Sequence, residues 1–374
     1  MIDISKRESI DIRDKRVSVI GLGLSGTAAA LLANHLGAIV FASDSSSDYN
    51  ISDNGLKLMK HHIASETGLH SDKIYDADLW IISPGIPKNA EIVKKAIMLG
   101  ISIVGEIEFA SWYTDSPIIA VTGSNGKTTT VHILSEMCCS KNIDSFMAGN
   151  IGIPFSERVL NEIKKPNSDS VYILEISSFQ MEFTIHFRPT IAVFTNLSPD
   201  HLDRHGSMVE YVNMKLKMIQ NMGENDKVVY NEDDNALSTT LKSKKVQLAP
   251  FSIVKPGMKY QIDSDKVLGP NKSTLINVNE IALPGKHNLS NILAATTVSH
   301  LMGISDSHIT YIMKNFIGVE HRLEKVTTIN KVDYVNDSKA TNLDSVIVAI
   351  DSFKAPIVLI LGGRNKGADF RLLL

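Results

Sequence analysis

Gly123-Ser-Asn-Gly-Lys127-Thr-Thr129 sets two glycines, a lysine and two threonines in one short run. An apolar stretch, Ile118-Ile-Ala-Val121, precedes it, and a helical apolar spacing at Val131, Ile133, Leu134 and Met137 follows. A strand, a glycine loop and a helix in that order turn backbone N–H groups and a helix N-terminus towards a nucleotide triphosphate. Lysine then reaches the outer phosphates and a hydroxyl ligates Mg²⁺. Gly123 lies two residues nearer to Gly126 than the common spacing, and Val121 occupies the usual first-glycine position. The residues expected at the triphosphate are therefore Gly123, Ser124, Asn125, Gly126, Lys127, Thr128 and Thr129; the plain alternative is a glycine turn with an ordinary lysine.

Other groups carry chemistry too. Gly21-Leu-Gly23-Leu-Ser25-Gly26 follows Val17-Ser-Val-Ile20 and opens a helix, with Asp44 closing the next strand. That arrangement holds a diphosphate on a helix N-terminus and does not distinguish NAD from another nucleotide. An unliganded βα turn is its plain reading. Glu175 closes a strand before Ser177-Ser-Phe-Gln180, a position suited to Mg²⁺ or to capping a helix. Asn196-Leu-Ser-Pro-Asp200-His201-Leu-Asp203-Arg204-His205 gathers imidazoles, carboxylates and a guanidinium just after a strand, where α/β folds place sites. Asn288 and Asn291 share a helix face, ready for a base or phosphate, with capping the alternative for Asn288.

Strand-like runs alternating with helix-length segments position these groups, as a parallel α/β architecture does. Val17–Ile20, Ile39–Ala42 and Leu79–Ile82 form a first series, and the run at Ile118 starts a second. The second continues through Val171–Leu174, Thr190–Val193 and Lys227–Tyr230, with a hairpin excursion over 250–283 and a helix over 288–302. A third begins near Glu324 and includes Val332–Val335 and Pro356–Leu361. It spans about fifty residues, against roughly 100 for a doubly wound domain, so the C-terminal domain reads as incomplete. A length of 374 residues suits two or three domains, and 43% hydrophobic with 21% charged residues suits a soluble globular enzyme. The net charge of -3 supplies no basic field for nucleic acid. Adjacent Cys138 and Cys139 offer neither a disulfide framework nor a zinc site. No apolar run spans a bilayer and no signal-peptide core follows Met1, so a cytoplasmic protein without membrane insertion is expected; a monomer is expected, although oligomeric state is not readable from these residues.

Together these runs resemble the Mur ligases. Gly123–Thr129, Asn150-Ile-Gly152, Glu175–Gln180, Asp200–Arg204, His287–Asn291, His321-Arg322-Leu-Glu, Asn336-Asp-Ser-Lys-Ala-Thr-Asn342 and Gly362-Gly363-Arg-Asn-Lys366 follow that family's order. Gly21–Gly26 with Ser83-Pro-Gly-Ile-Pro87 is similar to the D-glutamate-adding branch. The resemblance implies a three-domain fold: a Rossmann-like domain at 1–113, a central P-loop ATPase-like domain at 114–318 and a partial Rossmann-like domain at 319–374.

It also implies roles. Gly21, Gly23, Ser25, Gly26, Asp44, Ser83, Asn150 and Gln180 would hold the substrate UDP-N-acetylmuramoyl-L-alanine. Asn288, Asn291, Arg322 and Asp337 would join the loop at ATP. Thr128, Glu175, His201 and a carbamylated Lys215 would serve Mg²⁺, with Lys127, His201 and Lys215 as the catalytic set. Lys339, Thr341 and Lys366 would take D-glutamate. From the residues alone Lys215 is an ordinary helix lysine with Lys217 as its rival. The activity implied is ATP-dependent amide formation through an acyl phosphate in peptidoglycan synthesis. An NAD-dependent oxidoreductase, resting on Gly21–Gly26, and an inactive nucleotide-binding remnant are the competing readings.

Overall fold

Short runs of β-branched residues bounded by glycine turns become the strands, and the helices between them bury alanine-rich or amphipathic faces. The computed structural model describes residues 2–140, 143–166, 169–353, 356–363 and 370–373. Two units interleave along the chain: one comprises 1–118, 146–189 and 216–222, the other 119–145, 190–215 and 223–374.

The first unit opens with β1 (Arg16–Ile20), α1 (Leu24–His35), β2 (Ile39–Asp44), α2 (Tyr49–Lys60) and β3 (Ala64–Thr67). It continues with β4 (Leu79–Ile82), α3 (Glu91–Met98), β5 (Ser102–Gly105) and α4 (Glu106–Ser111). Its sheet runs β3-β2-β1-β4-β5, parallel throughout. The order reverses at β1, and an open α/β sheet leaves its crevice at such a switch point. Ile20 stands opposite Ser43 on one side and Ile82 on the other, so Gly21, Asp44 and Ser83 emerge together at the strand ends. Trp80 is fully buried beneath them, its indole N–H donating to the Ile74 carbonyl at 2.7 Å.

The chain next forms β6 (Ile118–Thr122) and α5 (Lys127–Cys138), then β7 (Asp144–Gly149), α6 (Phe155–Lys164) and β8 (Ser170–Glu175). β7 and β8 are neighbours and belong largely to the first unit.

The second unit adds β9 (Ile191–Phe194), α7 (Leu202–His205), α8 (Met208–Leu216), β10 (Lys227–Asn231), α9 (Asn235–Lys242) and β11 (Gln247–Ser252). Then come β12 (Tyr260–Asp263), β13 (Lys266–Leu268), β14 (Thr274–Asn277), α10 (Lys286–Leu301) and α11 (Asp306–Asn315). There the strand order is β14-β13-β12-β11-β10-β9-β6, parallel from β6 to β12 and antiparallel beyond. The excursion expected over 250–283 thus continues this sheet. α10 packs on α5, and Ala294 and Ala295 are fully buried, which lets the two helices approach closely.

Beyond it, β15 (Glu324–Ile329) and β16 (Val332–Asn336) form a hairpin, followed by α12 (Leu343–Asp351). Asn330 and Lys331 turn the hairpin with positive φ at both positions, as a two-residue loop of matching twist requires. The strand expected at Pro356–Leu361 is a correction. Its residues carry no strand pairing and are exposed, Val358 by 93% and Ile360 by 91%. An apolar run becomes a strand only where a neighbouring edge accepts its hydrogen bonds, and none of the described strands does so here.

Candidate active site

In the second unit, the turn from β6 into α5 needs its glycines. Gly126 has φ of 82°, and a Cβ there would come within 2.3 Å of Asn291 Oδ1. Gly123 has φ of 149°, and its Cβ would sit 1.9 Å from Thr195 Oγ1. Residues after β9 brace the loop: Asn125 N–H donates to Asn196 Oδ1 at 2.9 Å, and Thr195 Oγ1 donates to the Asn125 carbonyl at 2.6 Å. Ser124 Oγ meets the Ser198 carbonyl at 2.7 Å and Tyr211 Oη at 3.1 Å. α5 begins at Lys127 without a side-chain cap or an acid in its first turn, so no carboxylate there competes with an anion for the positive end of the helix. Thr128 and Thr129 are buried beside them.

Both lysines of the expected catalytic set turn towards this loop. Lys127 Nζ donates to the carbonyls of Gly123 at 2.9 Å and Ser124 at 2.8 Å. Lys215, on α8, is 2% exposed. Its Nζ donates to the Gly123 carbonyl at 2.9 Å and lies 4.5 Å from the Tyr211 ring centroid. The rival Lys217 is half-buried and donates to the Glu182 carbonyl at 3.2 Å in the first unit. Tertiary placement therefore separates two lysines that spacing left equivalent.

His201 precedes α7 with φ of 52°, its Nε2 3.6 Å from Asp200 Oδ2. Asn288 does not cap α10, whose N-cap is Gly285; its amide donates to the Pro284 carbonyl at 2.7 Å, and Asn291 donates to Asn288 Oδ1 at 3.3 Å. Arg322 Nε is buried without a hydrogen-bond partner, an orphan donor that an anionic ligand would satisfy. Burial holds Asp337 above the usual carboxylate range, against the pull of the Leu323 N–H and Arg322. Burial, with Arg322 adding to it, holds His287 below the usual imidazole range. Lys339 is half-buried and Thr341 exposed, while Lys366 lies outside the described residues. Asn342 caps α12 and reaches Asn125 Oδ1 at 3.0 Å and Asp200 Oδ2 at 3.4 Å.

Mg²⁺ takes few protein ligands when phosphates supply the rest. Of the residues expected at Mg²⁺, the Thr128 hydroxyl and the Glu175 carboxylate are oxygen donors of the kind it takes, whereas the Lys215 ammonium as it stands is not. Among the described residues no three His, Cys, Asp or Glu side chains form a cage.

In the first unit, a cleft of about 400 Å³ is lined by Gly21, Gly23, Asp44, His70, Ser83 and Pro87 with neighbouring residues. A Cβ on Gly26 would fall 1.8 Å from the Gly21 carbonyl oxygen, so glycine alone lets α1 start this close to β1. A Cβ on Gly23 would meet only open space, leaving its backbone free for a phosphate. Asp44 accepts from the N–H groups of Leu22 at 2.7 Å and Ser46 at 2.8 Å, bracing the turn. Ser25 and Gly26 lie in the first turn of α1 behind it. Asn150 and Gln180 are not among the residues lining this cleft. Asn150 Nδ2 donates to Glu175 Oε1 at 2.8 Å, and Glu175 is 2% exposed. Gln180 lines a separate cavity of about 10 Å³, room for about one water molecule, with Pro84, Glu106 and Phe183.

Sequence reasoning passed over three residues here. Glu106 is buried with Oε2 unpartnered, and burial pushes its carboxyl up to about 7. Glu108 accepts from Trp112 Nε1 and from the backbone N–H groups of Ile185, His186 and Phe187. His70 lines the cleft. Their run, Glu106-Ile-Glu108, marks two acids at alternate positions of an apolar stretch; His70 sits in no motif.

Comparisons with known proteins fit this geometry. A model of the Mur ligase MurD-like N-terminal domain matches residues 15–105, and one of the Mur ligase middle domain matches 121–299. A UDP-N-acetylmuramoylalanine–D-glutamate ligase of Christiangramia forsetii is 40% identical over 368 residues, 96% of this chain and 81% of that protein. One of Bacteroides thetaiotaomicron is 40% identical over 363 residues, 95% and 80%. Among solved structures, a murein peptide ligase of Psychrobacter arcticus superposes with a TM-score of 0.60 at 20% identity, covering 90% of this chain and 75% of that one. The UDP-N-acetylmuramate–alanine ligase of Thermotoga maritima gives 0.54 at 21%, covering 90% and 77%. These likenesses show the fold.

Proposed function

This chain belongs to the Mur ligase family, and from that premise we propose that it is an ATP-dependent ligase joining D-glutamate to UDP-N-acetylmuramoyl-L-alanine in peptidoglycan synthesis. What carries the reading is a relative named for that ligation, 40% identical across 96% of this chain. The oxidoreductase reading of Gly21–Gly26 is not favoured, because the model matching that region is a MurD-like one.

In this reading the L-alanine carboxylate attacks the γ-phosphorus of ATP, releasing ADP and leaving an acyl phosphate. The amine of D-glutamate then attacks the acyl carbon, phosphate departs, and the amide forms as the nitrogen loses its proton. The loop N–H groups, Lys127 and Arg322 hold phosphates and offset their charge, and Asn288, Asn291 and Asp337 orient the nucleotide. Gly21, Gly23, Ser25, Gly26, Asp44 and Ser83 seat the nucleotide sugar, with Asn150 and Gln180 directing its acyl arm. Lys339, Thr341 and Lys366 take D-glutamate. Thr128 and His201 would hold Mg²⁺, which when bound neutralises charge on the phosphate oxygens; Glu175 is a further candidate ligand carried by the first unit.

Lys215 acts in this reading as a carbamate. A buried ammonium near the phosphate loop repels a dication by several kcal/mol even at an intermediate dielectric, whereas the carbamate is an anion. The need for ATP sets the reaction in the cytoplasm, and a monomer suffices for it. Among the described residues no helix is long and apolar enough to cross a membrane.

The test is amide formation from ATP, UDP-N-acetylmuramoyl-L-alanine and D-glutamate, with L-glutamate as control. Stereoselective product with stoichiometric phosphate release is expected. Product with NAD and a 2-hydroxy acid instead would reverse the assignment.

A further inference from the structure

His70 occupies a place in the first unit's cleft that no motif announced. It follows β3, beyond Asp44 on β2 and the glycine turn after β1. Adjacent strands lie about 4.8 Å apart. The loop after β3 is therefore about 10 Å from the diphosphate turn, the reach of a nucleotide from its phosphates past the ribose to the base.

The ring's orientation follows from Ser43. This fully buried hydroxyl donates to Glu66 Oε1 at 2.8 Å and meets His70 Nδ1 at 2.7 Å. Glu66 also accepts from the Ser71 N–H at 2.8 Å and the Ser71 hydroxyl at 2.6 Å, and its carboxyl is held below the usual range, so it is ionised. Ser43 has one proton, and the carboxylate takes it. The hydroxyl must then accept from Nδ1–H, which fixes the tautomer and leaves Nε2 with its lone pair. Burial keeps the ring neutral, holding its pKa below the ordinary imidazole value against the pull of Asp44 and Glu66. Nε2 makes no hydrogen bond among the described residues.

Resting on the nucleotide-sugar reading above, we propose that His70 Nε2 accepts the N3–H of the pyrimidine base and so selects uracil over cytosine. Uracil presents a donor at N3, while cytosine presents a lone pair there that would face the lone pair of Nε2. A site built to pair a substrate N–H discriminates strongly against an analogue lacking it.

Calorimetry with UDP and CDP tests this. The wild-type chain should bind UDP at least about tenfold more tightly. His70→Ala should weaken UDP and leave the two nucleotides equal, while His70→Gln, whose amide oxygen can stand near the Nε2 position, should restore part of the preference. Unchanged UDP-to-CDP ratios in His70→Ala would overturn the proposal while leaving the cleft's nucleotide reading intact. Failure of the wild type to bind UDP or UDP-N-acetylmuramoyl-L-alanine would overturn both.

Discussion

Lys127 Nζ and Lys215 Nζ share one acceptor, the Gly123 carbonyl, each at 2.9 Å. The two nitrogens are therefore no more than twice that distance apart, at the head of α5. Two cations so close repel each other in a partly desolvated site. Converting the more buried of them, Lys215, to a carbamate turns that repulsion into attraction for Lys127 and for a metal.

Carbon-13 bicarbonate should therefore give a carbamate resonance that Lys215→Ala abolishes. That variant and Lys215→Arg should lose at least about a hundredfold in turnover, since one preorganised charge is worth about 2.7–4 kcal/mol of transition-state stabilisation. A resonance persisting in Lys215→Ala would move the modification elsewhere.

Lys127→Ala should abolish ATP-dependent phosphate release without unfolding the chain. The side chain is half-buried and its contacts are to loop carbonyls, so its removal opens no core cavity. Turnover above a few per cent of the parent, with an unchanged melting temperature, would remove Lys127 from the catalytic set.

Gly126→Ala should weaken ATP at least about tenfold and leave UDP-sugar affinity alone. The new Cβ would approach Asn291 Oδ1 to 2.3 Å at a φ of 82°, which L-residues adopt at a cost of about 1–3 kcal/mol. Equal losses for both nucleotides would show global damage instead.

Glu106 predicts a pH dependence of stability. Its folded-state pKa of about 7 lies above the ordinary 4.5, chiefly through burial. Between those values the unfolded chain has released the proton while the folded chain keeps it, so stability falls as pH rises through that window. Above it both states are ionised and the slope vanishes. Glu106→Gln should remove this component, so that its denaturation midpoint gains on the parent's from pH 5 to pH 8. Parallel midpoints for the two chains would show that the carboxyl is already ionised when folded.

The strand–turn–helix shapes at Gly123–Thr129 and at Gly21–Gly26 were legible in the sequence because their geometry is local. A few consecutive residues fix the backbone shape, and the flanking apolar periods declare strand and helix. Most strands were legible for the same reason, with β3, β5, β7 and β11 lacking a long enough apolar run to announce them. Lys215 was a different case: resemblance picked it, but only the packing of α8 put its ammonium on the Gly123 carbonyl and sent Lys217 to Glu182. Pro356–Leu361 had the composition of a strand, yet composition cannot supply the neighbouring edge whose hydrogen bonds make one. His70 and Glu106 were invisible for a related reason. What each does depends on a strand order that sets Ser43 against one, and on a cavity that leaves an oxygen of the other unpaired. Burial and tautomer are properties of surroundings assembled from distant parts of the chain, so they exist only once it has folded.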